Sequence, residues 1–348
     1  MVKKYRVKDI AELAGVSAGT VDRVIHNRGE VSVESRKKIE EILTRIDYYN
    51  GSGLPQKENN KRFRVLAILP QHTDGDYWHA VKKGIEHTAY YSTNIELKLS
   101  FLCYNQFDMY SCREIFNKAL SLKSDAILIG PSFYDETLLF ANQLFIRHIP
   151  YVFIDTSVEN TKPLAFFGPH PYQTGVVQAK LLTAILENGK DIAIFQAKRV
   201  GDKTSMQSLT RSYGFITYLK ENFPHIKVHS GEYDYGNKKE SGILLDRLFN
   251  GCHNIGGAAV FDTKGYLIAE YLKERNIANI KLIGFGTSKK NIACLKEGSI
   301  DFLISERPEY QGEAALRIAI DYLLYNKTVN IENYTPIDIL IKETIDFY

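Results

Sequence analysis

Residues 7–25 read VKDIAELAGVSAGTVDRVI, two short helical patterns separated by a turn, and they decide how the chain begins. In VKDIAELA (7–14), Ile10, Leu13 and Ala14 fall on one helical face, and Gly15 supplies the left-handed residue that ends a helix. Val16 and Ser17 complete a tight turn. Ser17 is an N-cap residue opening AGTVDRVI, whose Val21, Val24 and Ile25 continue the apolar face. The run His26-Asn27-Arg28-Gly29-Glu30 breaks the pattern. Ser32 then caps VESRKKIEEILTRI, with Glu34 in the first turn and Ile39, Ile42, Leu43 and Ile46 as its buried stripe. Three short helices with a glycine-bearing turn between the first two form a helix-turn-helix, predicted over residues 1–49.

Reading a base sequence requires a short helix whose exposed amino end fits the major groove. Here the second helix exposes Ala18, Gly19, Asp22 and Arg23, with Ser17 and Thr20 where hydroxyls would meet phosphate. Arg23 can pair with guanine O6 and N7, and Asp22 can accept from cytosine N4. Arg6, His26 and Arg28 extend a phosphate-facing rim. The competing reading is a plain three-helix packing domain with a solvated arginine. Charge favours the first. Residues 1–62 carry thirteen Lys/Arg against nine Asp/Glu, so the chain's net charge of +3 belongs to this small head.

Outward from the head, residues 50–62 (NGSGLPQKENNKR) read as a linker, with two Gly, one Pro and three Asn. From Phe63 the texture changes. Apolar runs such as RVLAILP (64–70), AILIGPS (126–132), PYVFIDTS (150–157), DIAIFQ (191–196) and KLIGFG (281–286) alternate with helical stretches of 10–15 residues. This is the pattern of βαβ units and a parallel sheet buried on both faces. Roughly ten such strands exceed one comfortable sheet, so an α/β body of two doubly wound lobes is predicted over residues 63–348.

The bulk properties narrow the function classes. A chain of 348 residues with 44% hydrophobic and 24% charged residues suits two or three globular domains. No apolar run approaches a bilayer span and no signal-peptide core follows the charged start, so no membrane partner is expected. Cys103, Cys112, Cys252 and Cys294 form no ligand spacing, which predicts free thiols and a cytoplasmic location. GFG and GGAA are too short for a dinucleotide loop, and no Walker A run occurs. The HTDGDYWH stretch (His72, Asp74, Asp76, His79) reads as a cleft loop rather than a metal site. Neither a cofactor nor a metal is expected, and nothing in the pattern marks an enzyme.

The run VKDIAELAGVSAGTVDRVIHNRGEVSVESRKKIEEIL (7–43) strongly resembles the headpiece of the lactose-repressor (LacI/GalR) family of bacterial regulators. The resemblance implies operator binding by a homodimer. It places Ala18 and Gly19 where that family varies side chains to choose its operator, which shifts specificity toward Asp22 and Arg23. One departure stands out. Family members usually follow the third helix with a hinge helix that wedges a Leu into the minor groove. This chain reads YYNGSGLPQKEN there; Gly51, Gly53 and Pro55 oppose a helix, Lys57 stands near the expected Leu, and Leu54 is the apolar candidate. A flexible tether is expected instead.

More weakly, residues 63–348 resemble the type I periplasmic-binding-protein fold. That likeness rests on RVLAILPQ, DYWHAVKKGIEHTA, AILIGP, PYVFIDT, TRSYGF, KLIGFG and ISERPEYQGEAA. It implies chain crossings near Gly168, Glu306 and Tyr334, a first lobe of residues 63–168 and 307–334, and a second of 169–306 and 335–348. It also implies a sugar-like effector between the lobes. Tyr77 and Trp78 match an aromatic pair, Asp155 ends a strand at the cleft, and Arg211 and Glu306 stand at usual polar contacts. Thr263 stands where an Asn is usual, and Gly286 replaces a usual sugar-binding Asp, leaving room for a modified, acidic or larger ligand. Helices around residues 78–92 and 109–122 are the expected dimer surface. The alternative is a small-molecule-binding protein, or a diverged α/β enzyme, with a vestigial headpiece.

Overall fold

Local hydrogen bonds stop the first helix and start the second and third where the sequence sets them. In the computed structural model, which describes residues 6–25, 31–45, 61–92, 95–198, 206–234, 236–252 and 254–348, these are α1 (Val7–Ala14), α2 (Ala18–Ile25) and α3 (Val33–Arg45). Gly15 ends α1 at φ +66°, its N–H reaching the Ala11 and Glu12 carbonyls. The Thr20 N–H donates to Ser17 Oγ at 3.1 Å, and the Ser35 N–H to Ser32 Oγ at 3.2 Å. Ile10, Val21, Val24, Ile39, Ile42 and Leu43 form the buried centre. Leu13 does not join it, being 49% exposed. At about 100° per residue, Val7, Ile10, Ala11 and Ala14 gather into one arc, and Leu13 falls about 100° from its middle. The expectations for His26, Arg28, Ile46 and the hinge stretch with Gly51, Gly53, Leu54, Pro55 and Lys57 lie outside the described residues.

The remainder is built on two six-stranded sheets. The first runs in the order β11-β5-β4-β3-β1-β2, from β1 (Arg62–Pro70), β2 (Glu96–Tyr104), β3 (Ala126–Ile129), β4 (Tyr151–Ile154), β5 (Ala165–Gly168) and β11 (Glu332–Tyr334). Four helices belong to it: α4 (Tyr77–Tyr91), α5 (Met109–Leu120), α6 (Tyr134–Ile146) and α12 (Pro308–Tyr325). The second runs β12-β10-β9-β8-β6-β7, from β6 (Asp191–Ala197), β7 (Val228–Tyr233), β8 (Ile255–Val260), β9 (Lys281–Phe285), β10 (Phe302–Ser305) and β12 (Asp338–Leu340). Its helices are α7 (Pro171–Ile185), α8 (Met206–Asn222), α9 (Lys238–Gly251), α10 (Gly265–Glu274) and α11 (Lys289–Glu297). β3, β4, β5 and β8 are buried along their whole length, as strands covered on both faces must be. β12 is antiparallel to β10.

The chain passes from one sheet to the other after β5, after β10 and after β11. These crossings are laced together. The Thr335 N–H donates to the Gly168 carbonyl at 2.8 Å, and Thr335 Oγ1 to the Glu306 carbonyl at 3.4 Å. Arg307, at φ +53°, holds Asp338 with two bonds of 2.8 Å. In the second lobe α7 and α8 touch backbone to backbone. A Cβ on Gly175 would stand 1.9 Å from the Arg211 carbonyl oxygen, and one on Gly214 2.2 Å from that of Tyr172.

Candidate nucleic-acid interface and ligand cleft

On the headpiece, α2 turns its apolar side inward through Val21 and Val24, which leaves Gly19, Asp22 and Arg23 exposed and Ala18 and Thr20 half-buried. Ser17 Oγ lies 2.8 Å from Thr20 Oγ1. Their mutual bond uses one of two hydroxyl protons, so the other can donate outward from the helix start. Arg6 is also exposed, at the start of α1, where its N–H donates to Asp9 Oδ2 at 2.7 Å. Ser17, Thr20, Asp22 and Arg23 therefore offer donors and acceptors of different reach along the start and outer side of α2.

In the α/β body the parallel strands of both sheets end toward the space between the lobes, the usual place for a ligand. Tyr77, Trp78, Asp155, Arg211, Thr263 and Glu306 all line one cavity of ≈ 80 Å³ there. The structure brings these six residues together. Asp155 follows β4 at φ +74°, a conformation costly for a non-glycine residue. Its carboxylate accepts from Tyr77 Oη at 2.7 Å and from Gln207 Nε2 at 2.8 Å, so it joins α4 of the first lobe to α8 of the second. Arg211, 3% exposed, donates to Glu306 Oε1 at 2.5 Å and to the Phe261 carbonyl at 3.0 Å, and its guanidinium lies over the Phe285 ring. Its Nε is buried with no hydrogen-bond partner among the described residues. Trp78 is held differently from its neighbour. The indole packs on Gly130, where a Cβ would stand 2.4 Å from the ring, so only part of it faces the cavity.

The electrostatics follow from burial. Desolvation raises the Asp155 and Glu306 carboxyls against the pull of the Arg211 guanidinium, and Glu306 is pushed up to about 7. Burial likewise raises Asp262, although Tyr233 Oη donates to it at 2.5 Å and the Lys264 N–H at 2.8 Å. Burial and the Asp155 charge drive the Tyr77 hydroxyl well above its usual value. Three carboxyls thus face Arg211 and Lys264 in a poorly hydrated space.

Sequence reading missed several members. Gln207 precedes Arg211 by one helical turn on α8, Asp262 adjoins Thr263, and Gln311 Nε2 donates to the Glu306 carbonyl at 2.6 Å. The spacing of four between Gln207 and Arg211 was the available signal. Gly286 stands at φ +80°, which itself favours glycine, and lines a second cavity of ≈ 160 Å³ that shares Tyr77 and Glu306 with the first. At its edge Lys264 Nζ reaches Asp76 at 3.5 Å and Lys289 pairs with Asp74, each pair joining the lobes. His72 and His79 stack at 6.1 Å, and no group of three or more His, Cys, Asp or Glu among the described residues could hold a metal.

Comparison with known proteins agrees with this architecture. The family described as "Periplasmic binding protein domain" matches residues 66–327, and "Bacterial regulatory proteins, lacI family" matches residues 6–50. A solved chain from Bacteroides fragilis, assigned as a LacI transcriptional regulator, is 31% identical with a TM-score of 0.78, covering 83% of this chain and 100% of that one. The chain belongs to the LacI family. This LacI-family protein is also 25% identical to "HTH-type transcriptional repressor PurR" of Pasteurella multocida over 62% of its own length and 60% of that protein. It is 27% identical to "Catabolite control protein A" of Staphylococcus epidermidis over 39% of its length and 40% of that protein. Each match therefore spans less than two thirds of the curated relative. These relatives are named as regulators rather than enzymes. Among the described residues of the LacI-family chain, no helix is long and apolar enough to cross a membrane.

Proposed function

We propose that the protein is a sequence-specific DNA-binding transcriptional regulator whose operator affinity is set by a small molecule held between its lobes. The carrying observation is the junction of Asp155, Gln207, Arg211 and Glu306, four buried polar groups drawn from both lobes and a crossing into one cavity. A ligand entering there exchanges hydrogen bonds with groups of both lobes, and so biases their closure. Carboxylates, amides and a guanidinium beside Tyr77 suit a carbohydrate or a derivative, whose hydroxyls both donate and accept. In this reading α2 of each protomer lies in the major groove of one half-site, with Arg23 and Asp22 on base edges and Arg6, Ser17 and Thr20 on phosphates. The protein acts as a cytoplasmic homodimer joined through the first lobe, where Tyr90 on α4 and Tyr110 on α5 are exposed.

Two measurements test it. Duplexes from the gene's own neighbourhood should be shifted by the purified protein, with affinity falling steeply between ~50 and ~200 mM salt. A thermal-shift panel of sugars, sugar acids and sugar phosphates should contain a compound that stabilises the wild type and not Asp155→Ala. Ligand binding without any shifted duplex would favour a binding protein with an idle headpiece. Equal stabilisation of both proteins would remove the cleft assignment.

A further inference from the structure

Away from the cleft, at the opposite ends of the second lobe's strands, three reactive groups from three elements stand in line. Cys252 follows the last residue of α9, His229 is the second residue of β7, and Asp191 opens β6. In the parallel register of β6 and β7 Ala193 lies opposite His229, and Asp191, two residues earlier, points to the same face. Cys252 Sγ lies 3.2 Å from His229 Nδ1, and His229 Nε2 lies 3.1 Å from Asp191 Oδ2. Asp191 is itself steadied by the Lys227 N–H on its other oxygen, at 3.3 Å.

The order of these contacts fixes the protons. A carboxylate only accepts, so His229 presents its N–H to Asp191 from Nε2, and Nδ1 carries the lone pair that faces the thiol. Nucleophile, base and orienting acid are then arranged as in enzymes that use a cysteine, with the thiol proton passing to the imidazole and the imidazolium beside a carboxylate. Cys112 is buried, and burial raises the thiols of Cys103 and Cys294. Cys252 is half-buried rather than buried, so part of the residue is open to a small reagent.

We propose that Cys252 is a nucleophilic thiol, activated by His229 and Asp191, and a site of modification by peroxides. In the step, the Cys252 proton moves to His229 Nδ1 and the thiolate sulfur attacks one peroxide oxygen. The S–O bond forms as the O–O bond breaks, and the departing hydroxide takes the proton from His229 to leave as water. Sulfur is oxidised by two electrons to the sulfenic acid and the peroxide is reduced.

The test uses the purified full chain. Iodoacetamide at neutral pH, read by peptide mass spectrometry, should label Cys252 at least about tenfold faster than Cys103 or Cys294. Hydrogen peroxide followed by dimedone should place the adduct on Cys252. His229→Gln and Asp191→Asn should both slow that labelling, by about tenfold or more for His229→Gln, while Cys112 stays unlabelled as the sign of an intact fold. If Cys112 becomes reactive in a variant, the wild-type ranking alone decides. Equal rates at Cys252, Cys103 and Cys294 in the wild type, or an unchanged Cys252 rate in a folded His229→Gln protein, overturns the proposal.

Discussion

Replacing Gly175 by alanine adds one methyl group where the structure has no room for it. The new Cβ would stand 1.9 Å from the Arg211 carbonyl oxygen and 2.8 Å from its carbon, both backbone atoms that no side-chain rotation can clear. An ordinary contact starts at 3.4 Å, so α7 and α8 must part by about 1.5 Å along that direction. Overpacking of this kind costs about 3 kcal/mol, at the upper end of the usual range because two helices move together. In a body of this size that corresponds to a fall in Tm of about 5 °C. The displaced residue is Arg211, whose 2.5 Å bond to Glu306 does not survive a shift of that size, so stabilisation by the effector should be lost as well. Urea unfolding and effector-dependent thermal shift read the two consequences separately. Gly242→Ala on α9 is the control. Its Cβ meets nothing nearer than Arg275 Nη2 at 3.8 Å, and helix propensity favours alanine by up to about 1 kcal/mol. A Gly175→Ala protein within about 0.5 kcal/mol of wild type, still answering its effector, would refute the close approach of α7 and α8.

Other perturbations reach other parts. Arg23→Ala should cost about 1–3 kcal/mol of operator affinity and leave thermal stability unchanged, since Arg23 is exposed; fluorescence anisotropy with a labelled duplex measures the first and calorimetry the second. Ser32→Ala removes the Ser35 N–H acceptor and should lower headpiece stability by about 1 kcal/mol, seen as earlier loss of helical signal. Glu306 is raised from 4.5 to about 7, so folding favours its protonated form: this contribution is fully present below pH 4.5 and is lost as pH rises through 7. It amounts to about 3 kcal/mol, shared with the neighbouring Asp155 titration. Unfolding midpoints across pH 4.5–7 should fall less steeply in Glu306→Gln, and an identical slope would contradict the placement.

What the sequence discloses depends on how local the cause is. Gly15, Ser17 and Ser32 act on hydrogen bonds within a few residues, so the end of α1 and the starts of α2 and α3 are legible without knowing anything else. Leu13 misleads because an eight-residue helix offers too few apolar positions to define the centre of its buried arc. In the α/β body, continuous apolar runs announce strands buried on both faces, and the residues just after them, Asp155 and Glu306, inherit their place at the cleft. Gln207 is marked only by its spacing of four from Arg211, and Asp262 and Gln311 have no period to mark them, so it is the fold that shows their convergence. Gly286 reads in the sequence as a lost carboxylate; its backbone, in a conformation reserved largely for glycine, gives a second reason for the residue. The alignment of Asp191, His229 and Cys252 is invisible to any reading of spacing, because it arises from the register of β6 and β7.

The lacing of the three crossings has a mechanical meaning. Thr335 is stitched to Gly168 and to Glu306, and Arg307 to Asp338, so the three connecting segments cannot slide past or twist about one another independently. They bend as a single strap. A body hinged on a strap has one soft degree of freedom, a pivot that widens or narrows the mouth where Asp74 and Asp76 meet Lys289 and Lys264. Under the proposed function, an occupant of the cleft acts on that one angle rather than through a diffuse loosening of both lobes.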